Sequence, residues 1–198
     1  MTESTDKWST SVQAALAVGQ KLATTTEEFN QACDHIVQLL RDASTLLANN
    51  SHATAAFLAI TALEETSKVH IGSYRSSGQA VPRRKDPLYR HDEKHLIAVG
   101  PTVAMGNRLQ EAIGVARMNE LIELARSGGL VQLREASLYV EQQGTALKAP
   151  KDAITKSTSR ELLLLAIEAF DDGLVGYTTH TFVLSEQTDA LFAQWKLG

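Results

Sequence analysis

The stretch that decides the fold is ATAAFLAITALEETSKVHI, which covers residues 53–71. Its residues are apolar on almost every side of a helix as far as Leu63, and the pattern turns polar only at Glu64 and Glu65. A helix that is apolar all round is buried on most of its faces. We therefore expect this helix to lie at the centre of a helical bundle.

The preceding segment predicts another core helix. The threonines at 24, 25 and 26 offer an N-cap to Glu27 and Glu28. Apolar residues then recur at helical spacing as far as the asparagines at 49 and 50: Phe29, Cys33, Ile36, Leu40, Ala43 and Leu47. Further upstream, residues 8–22 are weakly amphipathic and predict an additional N-terminal helix.

The rest of the chain also has helical spacing. We predict a helix from about Leu88 to about Arg126, interrupted or kinked at Gly100-Pro101 and ended by the glycines at 128 and 129. A short helix over residues 130–140 and a polar loop to Pro150 follow. A long helix over about 159–183 and a closing helix from Ser185 complete the chain, the last of these burying Leu191, Phe192 and Trp195.

No part of the chain has the alternating, β-branched pattern of a strand bounded by turn residues. The length of 198 residues, 43% of them hydrophobic, suits one compact core. The sequence therefore predicts a single all-α domain over residues 1–198, with its core at about 24–184.

Composition disfavours several classes of protein. No window reaches the roughly 18 consecutive apolar residues of a membrane span, and the polar N-terminus is unlike a signal peptide. The one cysteine, Cys33, cannot form an internal disulfide, and no CxxC motif is present to hold zinc or an iron–sulfur cluster. We expect a cytoplasmic protein without membrane contact or cofactor, in which Cys33 is a small buried side chain.

The charge balance restricts any nucleic-acid site to a local patch. The formal net charge is -4, from 19 Lys and Arg against 23 Asp and Glu. Residues 72–87 predict a long loop, and six basic side chains lie on or just after it: Arg75, Arg83, Arg84, Lys85, Arg90 and Lys94. We predict RNA phosphate contacts for Arg83, Arg84, Lys85 and Lys94. The alternative interpretation is an ordinary solvated loop.

The segment RHDEKH, residues 90–95, places a histidine five positions after Arg90. An imidazole moves protons at RNA oxygens and a guanidinium neutralises a phosphorane, so Arg90 and His95 suit metal-independent RNA cleavage. Positions five apart diverge by about 140° on one helix, so the two converge only at a helix start or across a homodimer. We expect a homodimer. Arg84 and His91 form a looser match, and a solvated helix start with an incidental histidine is the alternative.

Two further interpretations concern His91, His95 and Glu64. The two histidines stand four apart and share a helix face, as zinc ligands do, but no third ligand is specified nearby, and we predict no metal.

Glu64 lies on the same stripe as Ile60, and we expect it to be at least partly buried. It either forms an i,i+4 ion pair with Lys68, or it orients His91 or His95, or binds Arg90, across the bundle.

Three groups of residues, in order along the chain, resemble those of a known family. They are Asp42-Ala43 and Leu46-Leu47 with Ala55-Ala56-Phe57-Leu58-Ala59, Ala62-Leu63-Glu64-Glu65 and Lys68; Tyr89-Arg90-His91 with Lys94; and Arg134-Glu135 with Leu138-Tyr139-Val140. Together they cover about residues 28–142 and resemble the AbiV family of bacterial abortive-infection proteins. Glu141 stands where that family has Asp, and Thr66-Ser67 stands where it has a small residue and Gly.

The resemblance implies an HEPN-like helical bundle with extra N- and C-terminal helices, and a role in defence against bacteriophage. Many HEPN proteins are ribonucleases that use Arg-x(4–6)-His across a homodimer, and the segment from Arg90 to His95 matches that motif. With the resemblance, Arg90, His95, His91 and Glu64 become candidate catalytic residues of a metal-independent ribonuclease. The competing expectation is a non-enzymatic protein that blocks translation or phage production by engaging a phage-encoded protein.

Overall fold

The computed structural model of the protein describes residues 2–76, 80–100, 103 and 107–197. Within these ranges the α-helices are α1 (Thr2–Ala17), α2 (Thr26–Ala48), α3 (His52–Tyr74), α4 (His91–Ala98), α5 (Asn107–Ile113), α6 (Val115–Ser127), α7 (Gly129–Ala136), α8 (Pro150–Ala153), α9 (Lys156–Leu174) and α10 (Thr179–Trp195). Two 3₁₀ turns, Arg83–Lys85 and Pro87–Tyr89, precede α4. The predicted all-α class is confirmed. None of the described helices is both long enough and apolar enough to cross a bilayer.

Helix α3 lies at the centre of the bundle, as its sequence predicts. It packs against α2, α9 and α4, and its Ala59 and Leu63 side chains are at most 1% exposed. Helix α9 is enclosed to a similar degree, since every residue from 159 to 170 is buried. The main hydrophobic core therefore forms where α2, α3 and α9 meet.

Helix α2 begins where its capping residues predict. The Thr25 hydroxyl accepts a hydrogen bond from the Glu28 N–H at 3.1 Å, and the Glu28 carboxylate accepts one from the Thr25 N–H at 3.3 Å. This reciprocal pair satisfies N–H groups that the first turn of a helix leaves without partners. Along the same helix Cys33 is completely buried. Burial and the nearby charge of Asp34 raise the pKa of its thiol to about 12.

The predicted helix from about Leu88 to about Arg126 begins later than expected. Helix α4 ends at Ala98, next to the predicted interruption at Gly100, and a further break that was not predicted follows at Gly114. Leu88 belongs to a 3₁₀ turn, and Arg90 is the extended N-cap residue of α4, so the helix begins at His91. Gly114, with φ of 85°, separates α5 from α6 because it takes a backbone conformation that disfavours other residues. The predicted end at Gly128 is confirmed, and the predicted kink residue Pro101 lies outside the described residues.

The predicted helix over 159–183 is also divided. Helix α9 ends at Leu174, and Gly176 adopts a φ of 95° before Thr178 caps the next helix. The closing helix α10 therefore begins at Thr179 instead of Ser185. It buries Phe192 as expected, whereas the side chains of Leu191 and Trp195 are only partly covered.

A short hairpin lies in the segment predicted to be a polar loop. Strands β1 (Glu141–Gln143) and β2 (Ala146–Lys148) pair antiparallel, with Glu141 opposite Lys148. Gly144 turns the chain with a φ of 62°. Almost all side chains of the hairpin are exposed, so it lacks the alternating apolar pattern by which strands are recognised.

The predicted loop over 72–87 contains a buried ion pair that corrects the expected position of Arg75. Helix α3 continues to Tyr74, and Arg75 is 2% exposed instead of contributing to a surface patch. Its guanidinium donates to the Asp86 carboxylate at 2.8 and 2.5 Å. It also donates to the backbone carbonyl of Ala15 at 2.7 Å. This one side chain therefore connects the ends of α1 and α3 to the turns before α4.

Gly19 allows the chain to pass close to this ion pair. A Cβ atom at position 19 would lie 2.4 Å from both the Arg75 Nη1 atom and the Asp86 Oδ2 atom. The φ of Gly19 is 94°, which other residues rarely adopt. The buried pair therefore requires glycine at this position.

We predict that Arg75→Ala lowers the free energy of unfolding by about 3–5 kcal/mol, because it leaves the Asp86 carboxylate buried without its charge partner. Urea denaturation followed by circular dichroism measures the change. Arg90→Ala is the matched control, since its ion pair with Asp92 is about half exposed and such pairs contribute about 0–1 kcal/mol. Equal losses in the two variants would contradict the assignment of Arg75.

Candidate functional site

The candidate site is centred on the carboxylate of Glu64 in α3. The residue is 2% exposed, as its position on the buried helical stripe predicts. An ionised carboxylate in such a place is costly unless it is paired and hydrogen-bonded. Glu64 meets this requirement with side chains from two other helices.

Helix α4 supplies three of the partners. His91 Nδ1 lies 2.8 Å from Glu64 Oε1, Lys94 Nζ lies 2.6 Å from Oε2, and His95 Nε2 lies 2.9 Å from Oε1. Their spacing of i, i+3 and i+4 places all three on one face of the helix. The interpretation in which Glu64 orients His91 or His95 across the bundle therefore agrees with this geometry, and the carboxylate contacts both histidines.

Helix α7 supplies a fourth partner, Arg134. Its Nε atom lies 3.4 Å from Glu64 Oε1, and its guanidinium carbon lies 4.8 Å above the ring of Phe57. Arg134 was not among the candidate site residues, although it belongs to one of the strings that carry the family resemblance. We call Glu64, His91, Lys94, His95 and Arg134 the Glu64 cluster.

The electrostatics of the cluster favour an ionised Glu64. Burial by itself raises the pKa of this carboxyl, but the hydrogen bond from His95 and the charge of Lys94 outweigh burial and lower the pKa to about 2. Lys94 and Arg134 bring two positive charges to the one negative charge of Glu64. The cluster is therefore cationic around a carboxylate that stays charged.

The two histidines differ sharply in exposure. The side chain of His91 is 42% exposed, whereas that of His95 is fully buried. His91 turns Nδ1 toward Glu64, so Nε2, on the other side of the ring, is the nitrogen left for solvent or a ligand. His95 instead directs Nε2 at Glu64, and its buried Nδ1 has no hydrogen-bond partner among the residues that the structure describes. Within this chain, only His91 of the two presents an imidazole to the surface.

Arg90 does not meet His95. It lies at the start of α4, where convergence is sterically allowed, but its guanidinium donates to Asp92 at 2.9 Å and lies 3.5 Å from Glu93. About half of the Arg90 side chain is exposed, and Glu64 binds other cations. The structure therefore brings Glu64, His91 and His95 together and leaves Arg90 beside them at the surface.

The four predicted phosphate-binding residues fall into two groups. Arg83, Arg84 and Lys85 are exposed on their 3₁₀ turn. Lys94 is 6% exposed and pairs with Glu64, so it is separated from that basic turn.

The proposed i,i+4 pair between Glu64 and Lys68 is wrong. Lys68 binds Glu65 instead, because Glu65 lies on the more exposed side of α3.

Outside this cluster, polar groups pair where helices pack against each other. Asp171 accepts hydrogen bonds from Arg108 and Thr188, and His180 lies 2.7 Å from Asp34. No group of three His, Cys, Asp or Glu side chains suited to a metal ion occurs in the ranges described. The Glu64 cluster is therefore the better candidate for chemistry.

We predict that part of the acid sensitivity of the fold comes from Glu64. The pKa of its carboxyl is 4.5 ordinarily and about 2 in the folded protein. Its contribution to the free energy of unfolding, on the order of 3 kcal/mol, is complete above about pH 4.5 and is lost as the pH falls toward 2. Urea denaturation across this range should show a steeper decline for wild type than for Glu64→Gln.

Glu65→Gln is the control for this experiment, because Glu65 is the neighbouring carboxylate and pairs only with Lys68 at the helix surface. It should decline as steeply as wild type. If Glu64→Gln also kept the wild-type slope between pH 4.5 and 2, the low pKa of Glu64 would be refuted.

Comparison with known proteins finds a family whose model covers the Glu64 cluster. The family model of AbiV, a family of HEPN proteins, matches residues 26–169. That range starts at the first residue of α2 and contains all five members of the Glu64 cluster. No curated protein and no solved structure matches the chain. The match confirms the resemblance found in the sequence and indicates an anti-phage role: the chain belongs to the AbiV family of abortive-infection proteins.

Proposed function

We propose that this anti-phage protein cleaves RNA without a metal ion and that His91 is its proton-transfer group. The observation that carries the proposal is the hydrogen bond between the buried Glu64 carboxylate and Nδ1 of a half-exposed imidazole. The AbiV match supports the anti-phage role, and the cleavage chemistry is inferred from the residues of the cluster.

Glu64 selects the useful tautomer of His91. Because the carboxylate is ionised, Nδ1 of His91 carries the proton and donates it in the hydrogen bond. The lone pair is then on Nε2, at the exposed side of the ring. There it accepts the proton of an RNA 2′-hydroxyl as that oxygen attacks the adjacent phosphorus, and the resulting imidazolium is stabilised by Glu64. The same group, once protonated, can donate to a leaving oxygen.

Arg90 is the cation best situated for the phosphate. It directly precedes His91, and its present partners Asp92 and Glu93 hold it in an ion pair that is about half exposed. Such pairs are weak, so a phosphate oxygen displaces the carboxylates at small cost. In the proposed reaction the Arg90 guanidinium stabilises the charge that develops on the phosphorane.

His95 has a positioning role in this proposal. The Arg-x4-His spacing favours it as the proton-transfer group, but its side chain is fully buried and its Nε2 is bound to Glu64. A group that cannot reach the substrate cannot move the substrate's proton. His95 and Lys94 instead hold the Glu64 carboxylate in place for His91.

We predict that His91→Ala lowers RNA cleavage by about 10²–10⁴-fold, the usual worth of general acid–base catalysis, while the fold is kept. Cleavage is followed on a defined single strand and on total cellular RNA in the presence of EDTA, and phage protection is scored on the same variants. His180→Ala is the matched control, since His180 is another partly exposed histidine bound to a carboxylate, that of Asp34. It should cleave and protect like wild type.

Two results would contradict the proposal. One is a His91→Ala variant that cleaves RNA as fast as wild type. The other is a wild-type protein that protects cells against phage but cleaves no RNA in the infected cell. The second result would favour the binding function described next.

A second candidate function is engagement of a phage-encoded protein without any chemistry. It is favoured by an exposed apolar surface after α7, formed by Leu138, Tyr139 and Val140, which are 40%, 63% and 55% exposed. Exposed apolar patches of this kind are typical of protein-binding sites. Under this alternative, charged substitutions at Tyr139 and Val140 abolish phage protection, and His91→Ala does not.

The homodimer expected from the sequence stays a prediction. Arg90 and His95 do not meet within one chain. Since Arg90 is exposed, a second copy of the chain is the way to bring the arginine of one chain to a histidine of the other. Light scattering at micromolar concentration measures the mass in solution. A monomeric mass would leave the Glu64 cluster and Arg90 of one chain as the complete site.

A further inference from the structure

We propose that Tyr89, with Arg83 and Lys68, forms a stacking site for one unpaired nucleobase, which directs the protein to single-stranded RNA. This inference rests on the proposed ribonuclease function and extends it to the form of the substrate. The three residues come from the second 3₁₀ turn, the first 3₁₀ turn and α3, so the site exists only in the folded chain.

The observation is an exposed aromatic ring with two cations beside it. Tyr89 is 37% exposed. The guanidinium carbon of Arg83 lies 5.1 Å from the centre of the ring, and Lys68 Nζ lies 6.0 Å from it. Proteins that hold single strands combine an aromatic surface for the base with cations for the backbone phosphates. Tyr89 and Arg83 supply both parts at one place.

Hydrogen bonds hold the backbone at Tyr89 in a fixed position. The Asp86 carboxylate accepts a hydrogen bond from the Leu88 N–H at 2.9 Å, and the Asp86 carbonyl accepts one from the Tyr89 N–H at 3.0 Å. Leu88 is completely buried, and Asp86 is itself bound by Arg75. A base that stacks on Tyr89 therefore meets a preorganised surface and orders little of the protein on binding.

The stacking site at Tyr89 lies close to His91, the proposed proton-transfer group. Tyr89 precedes His91 by two residues, and two residues of chain span at most about 7 Å between Cα atoms. A nucleotide whose base stacks on Tyr89 is thus the neighbour of the one whose 2′-hydroxyl meets His91. Bases inside a duplex are stacked on each other and are not free to bind the ring, which gives the preference for single strands.

The charges of Lys68 and Arg83, the two cations beside the Tyr89 ring, are compensated to different degrees. Lys68 is bound by Glu65, so part of its charge is already compensated. Arg83 has Arg84 and Lys85 beside it on the same exposed turn. Arg83 is therefore the residue that contacts the phosphate of the stacked nucleotide.

The test measures binding in the absence of cleavage. Full-length His91→Ala protein is titrated into a fluorescent 12-nucleotide single-stranded RNA and into the duplex of the same sequence, and anisotropy is recorded. We expect the single strand to bind more tightly. Adding Tyr89→Ala should weaken single-strand binding by about 5–150-fold, the worth of one base stack, whereas Tyr89→Phe should keep the affinity because it keeps the ring.

Phe182→Ala in the same His91→Ala background is the matched control, since Phe182 is an exposed aromatic residue of α10 that belongs to neither proposed binding surface. It should bind RNA like its parent, and circular dichroism should show that all variants fold. Equal affinity of the Tyr89→Ala and Tyr89→Phe proteins would overturn the proposal, as would equal binding of duplex and single strand or no binding of RNA at all. A wild-type protein that binds single strands through Tyr89 but cleaves none would instead refute the ribonuclease function alone.

Discussion

The carboxylate of Glu64 imposes the strongest constraint on this fold. It projects from the central helix α3 into a region where it is almost fully excluded from water, and it is stable there only because α4 and α7 bring cations to it. Lys94 is buried with it, so neither charge is tolerable without the other. The placement of α4 against α3 is therefore determined as much by this ionic contact as by apolar packing.

The same contact separates the functions of the two histidines. Both bind Glu64 from one face of α4, but His95 lies one turn further along the helix, where α4 is covered, and His91 lies at its exposed first turn. Sequence spacing alone treats them as equivalent partners for an arginine. Burial makes one of them part of the support for the carboxylate and gives the other access to a substrate.

Sequence reasoning performed best where one helix face carried the information. The burial of α3, the capping of α2 at Thr25 and the contact of Glu64 with α4 all follow from periodicity and from the properties of single side chains. Arg75 was misplaced because it stands next to a Ser- and Gly-rich stretch, where an arginine is ordinarily solvated. Its partner Asp86 lies eleven positions away, and only the folded chain brings the two together.

The remaining errors have a similar physical origin. Arg134 joins the Glu64 cluster from a helix 70 positions further along the chain, a contact that no local pattern encodes. The division between α9 and α10 depends on the backbone of Gly176, which takes a positive φ. The residues on both sides of it are compatible with a helix, so the sequence pattern does not indicate this break. In both cases tertiary geometry outweighs the local sequence preference.

Cys33 gives this protein an unusual practical property. The chain has one cysteine, which is completely enclosed by the core, and its thiol has a pKa of about 12. Since only the exposed thiolate reacts readily, the native cysteine is nearly inert toward maleimides and mild thiol oxidants. A cysteine introduced on the basic turn or on the hairpin would be the one reactive thiol in the folded molecule. Spin labels or fluorophores can therefore be attached at a single chosen position without first removing the native residue.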